Sequence, residues 1–451
     1  MKNILFLSID SLRSDYFYGS DRTCLTPNID KLIKNNLYFK NSFSASDATL
    51  LSWSSMFTGL FPFKTGITKA LKFVEINKNT VTIFDILASN NYQFYGFRPI
   101  ISETVGLFPK FLNKNSLYDI NESLENDLGK KIVDLLKSKK SESPWFCFIH
   151  IMDMHFPIRV PDKLNSSKFG KSKYERALSN IDIWVGKFLD SIDHDETLVI
   201  ITADHGAYIK FLETNNKTFD FEEVASKEIT KKNITKKIPK FLKPVKDNFF
   251  YRNEIKKNIE RKKYLEKNNL SSSKIRELSA GKFEIDHTLF DPKLKTPLLF
   301  VNNSIKSSIE DKLVRSVDIL PTICDFLGIE CNLEKIDGVS LISNNFHSSK
   351  DLVAYIESTP LIDIKSNDVI GIRTSTSKYF RDKFSKDKRI HLYDIPTDPL
   401  EENNLVNSNP ELVFELEKLL QSIINIPKLP DDGNILSSKE IEDELKKMGY
   451  V

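Results

Sequence analysis

Cysteine is scarce in this chain, with only Cys24, Cys147, Cys324 and Cys331 among 451 residues. None has the spacing of a metal-binding pair and two lie inside apolar segments, so reduced core residues of a cytoplasmic protein are expected. Long hydrophobic runs are missing too. No apolar stretch approaches the roughly 20 residues of a membrane-spanning helix. The N-terminal run at residues 4–9 stops at Asp10, short of the roughly 7–15 apolar residues of a signal-peptide core. Neither sign of charge dominates, with 65 Lys+Arg against 62 Asp+Glu. A hydrophobic content of 40% excludes a disordered chain. At roughly 150 residues per domain the length predicts two or three units.

The near-neutral total hides a local bias. Residues 226–275 hold 16 Lys+Arg against 5 Asp+Glu, a net of +11, so the rest of the chain, at +3 overall, carries −8. Aromatics interleave with lysines there, in Ile238-Pro-Lys-Phe-Leu-Lys-Pro-Val-Lys246 and Phe249-Phe-Tyr251. One reading is a solvated, partly helical insertion. The other is a flap that meets an anionic substrate or an anionic membrane surface. No base-reading motif accompanies the charge, so specific nucleic-acid binding is not expected.

Short apolar runs end in polar residues along the chain. Residues 4–9 stop at Asp10, 145–149 run into His150, Asp153 and His155, and 198–201 precede Asp204-His205-Gly206; runs at 297–301 and 352–356 are similar. Such runs read as strands buried on both faces. Helical patterns fall at 27–35, 82–90, 120–138, 171–192 and 313–327. This alternation predicts an α/β fold, a mostly parallel sheet sandwiched by helices, with ligands beyond the C-terminal strand ends. Short strands at 352–358, 368–374, 378–381 and 392–394 predict a small antiparallel sheet. A helix at 410–424, a Pro/Asp-rich linker and a charged terminal helix follow. The expected organisation is a catalytic domain over 1–330, interrupted by a basic insertion at 207–280, and a C-terminal α+β subdomain over 331–451. No internal repeat is present.

The stretch Ser46-Asp-Ala-Thr-Leu-Leu-Ser-Trp-Ser-Ser-Met-Phe-Thr-Gly59 reads as a buried helix opened by small hydroxyl residues. A nucleophile at its start gains from the helix dipole; a plain capped helix with Thr49 as N-cap is the structural alternative. Taken with Leu7-Ser-Ile-Asp-Ser-Leu-Arg-Ser-Asp15, His150-Ile-Met-Asp-Met-His-Phe-Pro157, Thr202-Ala-Asp-His-Gly206, Asp286-His-Thr-Leu-Phe290 and Asp337-Gly-Val-Ser-Leu341, the order decides between them. The chain resembles the sulfatase branch of the alkaline phosphatase superfamily over about residues 1–210 and 280–406. The resemblance implies an alkaline-phosphatase-like fold and a metal-dependent ester hydrolase. Asp10, Asp204 and Thr49 would hold a divalent ion, with His205 a nitrogen ligand or nearby contact. That ion is Mn²⁺, Ca²⁺, Mg²⁺ or Zn²⁺, with no choice among them. Thr49 would be the nucleophile, and His155 and His287 would hold ester oxygens or protonate the leaving group. Asp153 is open between orienting His155 and capping a turn.

Three residues depart from the pattern. Ser11 stands where many sulfatases carry a second Asp, Trp53 replaces an Arg, and Thr49 stands where formylglycine sulfatases need Cys or Ser. Oxidised threonine would be a ketone, so the hydrated-aldehyde route is closed and phosphate esters become the easier substrates. The Thr version resembles phosphodiesterases and the phosphoethanolamine and phosphoglycerol transferases. The leading expectation is therefore a sulfatase-like hydrolase of phosphate or sulfate esters working through a covalent Thr49 intermediate. The alternatives are a transferase acting on lipid or glycan, and a non-catalytic polyanion-binding scaffold. Expected partners are an anionic ester substrate, glycan- or lipid-linked, and an anionic membrane surface met peripherally through 226–275.

Overall fold

The computed structural model describes residues 1–67, 76–119, 121–139, 144–214, 217–221, 243–280, 289–331, 336–344, 346, 348, 351–358 and 368–425. Its strands in chain order are β1 Asn3–Ile9, β2 Leu37–Phe43, β3 Gln93–Pro99, β4 Leu117–Tyr118, β5 Trp145–Ile151, β6 Thr197–Thr202, β7 Phe211–Glu213 and β8 Thr218–Asp220. There follow β9 Lys295–Val301, β10 Ser308–Arg315, β11 Ala354–Ser358, β12 Val369–Arg373, β13 Ser377–Asp382 and β14 His391–Asp394. Eight of them form one sheet in the order β10-β2-β9-β6-β1-β5-β3-β4. Every neighbouring pair is parallel except the two made by β9. The expected α/β class and mostly parallel sheet hold.

Side chains alternate across a strand, and here both faces are covered. Leu5, Leu7 and Ile9 of β1 join one apolar cluster with Ile29, Ile132, Leu136 and Ile181 from the helices Pro27–Asn35, Gly129–Lys139 and Lys173–Leu189. Ile4 and Phe6 face the other cluster, with Leu51, Trp53, Phe57, Ile83 and Ile323 from the helices Thr49–Thr58, Ile83–Ser89 and Ile319–Leu327. That double burial is why the strands read as unbroken apolar runs.

Several boundaries differ from expectation, and the helical pattern at 120–138 becomes an α-helix only at Gly129, after an irregular turn at Leu124–Leu128. Residues 313–315 extend β10 and do not open a helix, which begins at Ile319. The apolar Leu313 and the β-branched Val314 pair with Asn41 and Ser42 of β2, and this non-local pairing overrides the helical period. Strand β5 also runs two residues further, through His150. The antiparallel sheet β11-β12-β13-β14 forms as expected, and its Tyr355, Ile372 and Tyr379 pack on Leu416 and Leu420 of the helix Pro410–Ile424. The linker and terminal helix expected after it lie outside the described residues.

The basic insertion is more built-in than a flap. The hairpin β7–β8 and the helices Lys243–Glu266 and Ser272–Ser279 share a small core of Phe219, Leu265 and Leu278. Glu277 pairs with Arg13 and accepts the Ile209 N–H at 3.1 Å, while Arg276 donates to the carbonyls of Glu401 and Leu400 at 2.9 and 2.8 Å. The second helix is thereby fixed between the β1 loop and the C-terminal subdomain. Residues 222–242, including part of the Lys-aromatic stretch, lie outside the described residues.

Candidate active site

Sheet pairing places the candidate residues side by side. Ser8 of β1 is level with His150 of β5 and with Thr202 of β6. Ser8, Asp10, His150, Thr202 and Asp204 share the parity of Ile4, Phe6 and Phe148, whose face is covered by the Thr49–Thr58 helix. The ends of three adjacent strands and the start of that helix therefore converge, as the strand-end rule for parallel sheets requires.

Asp10 is 1% exposed and Asp204 wholly buried. Each carboxylate has one oxygen held by a neighbour. Asp10 Oδ1 accepts from Ser11 Oγ at 2.6 Å, and Asp204 Oδ1 accepts the Ser11 and His205 N–H groups at 3.2 and 2.9 Å. Ser11 reaches both by adopting a left-handed φ of 61°, a strained position of the kind that collects at functional sites. The second oxygens turn inward. Asp10 Oδ2 lies 3.3 Å from His150 Nε2. Asp204 Oδ2 is buried without a hydrogen bond, with His205 Nε2 at 3.4 Å. Neither carboxylate has a Lys or Arg partner among the described residues.

His205 is oriented from behind. Its Nδ1–H donates to the Gly206 carbonyl at 2.8 Å, which leaves the Nε2 lone pair facing Thr49 Oγ1 at 3.3 Å. Burial disfavours the imidazolium, yet the Asp204 and Asp10 carboxylates outweigh it and hold His205 above its ordinary value. Burial likewise opposes ionisation of Asp10, but His155, His150 and His205 hold it well below the usual carboxylate range. Positive charge is favoured at this point of the fold. His155, on the turn after β5, is kept below its ordinary value by burial, against the pull of Asp10. The Gly206 N–H donates to the Lys293 carbonyl at 2.8 Å, and a Cβ on Gly206 would stand 2.2 Å from the Pro292 carbonyl oxygen, so only glycine fits there.

Thr49 is the first residue of its helix, and Ala48 is the N-cap with no side-chain cap bond. The Thr49 hydroxyl is not used as a cap. It is half-buried, whereas Ser52, Ser54 and Ser55 of the same helix are wholly buried. Ser52 donates to the Asp204 carbonyl at 2.6 Å, locking the helix to the Asp204 loop, and Ser54 donates to the Leu51 carbonyl at 2.7 Å. Asp153 accepts the Leu124 N–H at 3.2 Å, so it caps the turn that leads into the Gly129–Lys139 helix, and burial pushes its carboxyl up to about 7. His287 lies outside the described residues.

Asp10, Thr49, Asp204 and His205 are thus brought together. The reading of residues alone missed His150. Asp10, His150 and Asp204 each offer a ligand atom within 4.8 Å of the others. The sequence signal for His150 was only that it follows the apolar run 145–149; its place beside Ser8 is set by the pairing of β5 with β1. Also missed was Lys293, whose ammonium binds Asp47 at 2.7 Å, two residues before Thr49.

A sequence model of the Sulfatase family matches residues 2–329. The chain belongs to the sulfatase family. It is 26% identical over 219 residues to an uncharacterized protein of Haemophilus influenzae, covering 48% of this chain but only 33% of that protein. It is 23% identical over 471 residues to the ulvan-active sulfatase of Formosa agariphila, covering 97% of this chain and 82% of that one. Among solved structures, the phosphonate monoester hydrolase of Agrobacterium radiobacter aligns with a TM-score of 0.63 at 13% identity, over 94% of this chain and 95% of that one. That likeness is one of fold. Within the sulfatase fold, Asp10, Thr49 and Asp204-His205 stand where the sequence motifs put them.

Proposed function

We propose that this sulfatase-family chain is a divalent-metal-dependent hydrolase of anionic esters, with Thr49 as nucleophile and phosphate esters, diesters among them, as substrates. One observation carries the reading: Thr49 Oγ1 is uncapped, solvent-reachable and 3.3 Å from His205 Nε2. The relative named for phosphonate monoester hydrolysis gives the fold a precedent for attack at phosphorus.

The residues fit a divalent ion. Two buried carboxylates without Lys or Arg partners among the described residues, one with an oxygen that makes no hydrogen bond there, need a cation to be stable at that depth. Asp10, Asp204, His205 and Thr49 would hold it, and when bound it supplies charge that favours the Thr49 alkoxide and the developing charge on the ester. Thr49 Oγ attacks phosphorus, and the bond from phosphorus to the leaving oxygen breaks as the new one forms. The Thr49 proton passes to water, with His205 Nε2 fixing the hydroxyl at 3.3 Å, and the leaving oxygen takes up a proton from water. His155 donates an N–H to an ester oxygen. Water then cleaves the phospho-threonine at phosphorus and restores the hydroxyl. A sulfo-threonine lacks the neighbouring hydroxyl by which a hydrated formylglycine expels sulfate, so sulfate esters turn over poorly. The exposed Arg252, Lys256, Lys257, Lys262 and Lys263 of the Lys243–Glu266 helix would meet the anionic surface that carries the substrate.

The test is turnover of aryl phosphate monoester, phosphodiester and sulfate substrates with added divalent ions, in wild type and Thr49→Ala. The expected result is phosphate ester turnover, phosphoryl mass on the Thr49 peptide, and neither in Thr49→Ala. Fast sulfate turnover with no adduct on Thr49 overturns the mechanism.

A further inference from the structure

The proposed reaction gives His150 no role, although it lies in one buried group with Asp10 and Asp204. It is wholly buried on β5. Its Nδ1 lies 3.0 Å from Ser8 Oγ and its Nε2 3.3 Å from Asp10 Oδ2. The face-to-edge contact with Trp53, with ring centroids 4.6 Å apart at 87°, fixes the ring plane. Trp53 is one of the residues that departs from the family pattern, and Ser11 is another. Together they change what surrounds the two carboxylates. Ser11 contributes a hydroxyl and an N–H, each of which binds a carboxylate oxygen that already faces away from the centre. It adds no charge. The inward groups are Asp10 Oδ2, Asp204 Oδ2 and His150 Nε2.

His150 Nε2 and Asp10 Oδ2 lie 3.3 Å apart, close enough to be ligands of one cation, with Ser8 Oγ accepting the His150 Nδ1–H when Nε2 is bound. The same cation answers the unbonded Asp204 Oδ2. Ligands of one ion at about 2.0–2.4 Å from it lie no more than about 4.8 Å apart, and the ligand atoms of Asp10, His150 and Asp204 fall within 4.8 Å of one another.

We propose that His150 Nε2 completes the ligand set, and that this site is built for Zn²⁺ and not for Ca²⁺. The inference rests on the reading that the site holds a divalent ion. Its physical reason is the donor set. Ca²⁺ takes six to eight oxygens, and its sites are rich in carboxylates. Here a serine replaces one carboxylate, while His150 and His205 bring two imidazole nitrogens to Asp10, Asp204 and the Thr49 hydroxyl. Imidazole suits Zn²⁺, and a set of five or fewer donors, two of them nitrogen, leaves Ca²⁺ under-coordinated.

The experiment uses the full chain stripped of metal and titrated with Zn²⁺ or Ca²⁺ alone by calorimetry, with X-ray absorption at the zinc edge to count imidazole ligands. The variants are His150→Gln, which keeps a side-chain donor toward Asp10 but removes the imidazole, and Asp204→Asn. Wild type should bind Zn²⁺ at least about 1,000-fold more tightly than Ca²⁺ and show two imidazoles. His150→Gln should show one and lose about 100-fold or more in Zn²⁺ affinity with Ca²⁺ binding little changed. One imidazole in wild type, or Ca²⁺ bound as tightly as Zn²⁺, overturns the assignment of His150 while the metal-site reading stands. Failure of wild type to bind either ion, or undiminished binding in Asp204→Asn, overturns the metal-site reading itself. The wild-type spectrum decides the point even if His150→Gln folds poorly.

Discussion

Lys378 offers a direct test of how the C-terminal subdomain supports the site. Its ammonium is wholly buried on β13, 2.6 Å from Asp291 Oδ1 and 2.6 Å from Glu401 Oε1. Asp291 opens the turn Asp291–Leu294, whose Lys293 carbonyl receives the Gly206 N–H beside Asp204-His205. Lys378→Met has similar length and no charge, so it leaves two buried carboxylates without their shared partner, with Arg373 3.4 Å from Asp291 and Lys295 acting on Asp291 from further off. Removing one partner of a buried pair costs about 3–5 kcal/mol, a large part of the roughly 5–15 kcal/mol by which proteins are stable. The deficit should depend on pH. Burial already holds Glu401 above its ordinary value against the pull of Lys378, and without Lys378 that value rises further. A carboxyl raised in the folded state binds protons there that the unfolded state releases, so stability falls as pH rises from the ordinary carboxyl value through the raised one. Urea unfolding of wild type, Lys378→Met and Lys378→Met/Glu401→Gln at pH 5.5 and 8 (conditions of our choosing) measures this. The single variant should lose more at the higher pH, and the second substitution should restore about 2 kcal/mol by removing the charge with no partner. A loss under about 1 kcal/mol, equal at both pH values, would refute the account.

Asp153→Asn keeps an acceptor for Leu124 N–H and removes a carboxyl pushed up to about 7. Because that raised value costs stability as pH climbs from 4 to 7, the variant should gain on wild type across that interval, by up to about 4 kcal/mol at 1.4 kcal/mol per unit; equal thermal midpoints at pH 5 and 8 would contradict it. Metal affinity should weaken as pH falls, beginning above the ordinary imidazole value, because raised His205 must lose its proton to bind; calorimetry across pH checks this, and a flat profile removes His205 from the ligand set. Reversing Lys256, Lys257, Lys262 and Lys263 to Glu should abolish salt-sensitive binding to anionic vesicles and spare hydrolysis of a small soluble ester. Deleting the helix is the poorer test, since Leu265 is in the small core with Phe219 and Leu278.

Much of this molecule was legible before any coordinates. Strands buried on both faces must be apolar throughout, so β1, β5, β6 and β9 announced themselves, and polar residues just past such strands mark where a ligand binds. Asp10 and Asp204-His205 were read that way, and Thr49 from the small hydroxyl residues that open its helix, with family order behind all of them. Strands β2, β3 and β10 were not, because their residues are mixed and only pairing with distant partners fixes them. The length of β5 decided more than its boundary. Two further residues in the strand turn His150 from a loop histidine into a side chain level with Ser8, and no local pattern encodes that register. The basic insertion shows the same division. Its charge is a property of composition, whereas the anchoring of Ser272–Ser279 by Arg13, Ile209, Leu400 and Glu401 depends on contacts more than 60 residues apart in the chain. Chemistry of a side chain is carried by its residue type, and so it can be read from sequence. Which side chains share one buried volume is set by the sheet register and the packing of helices on it, and only the folded chain determines that.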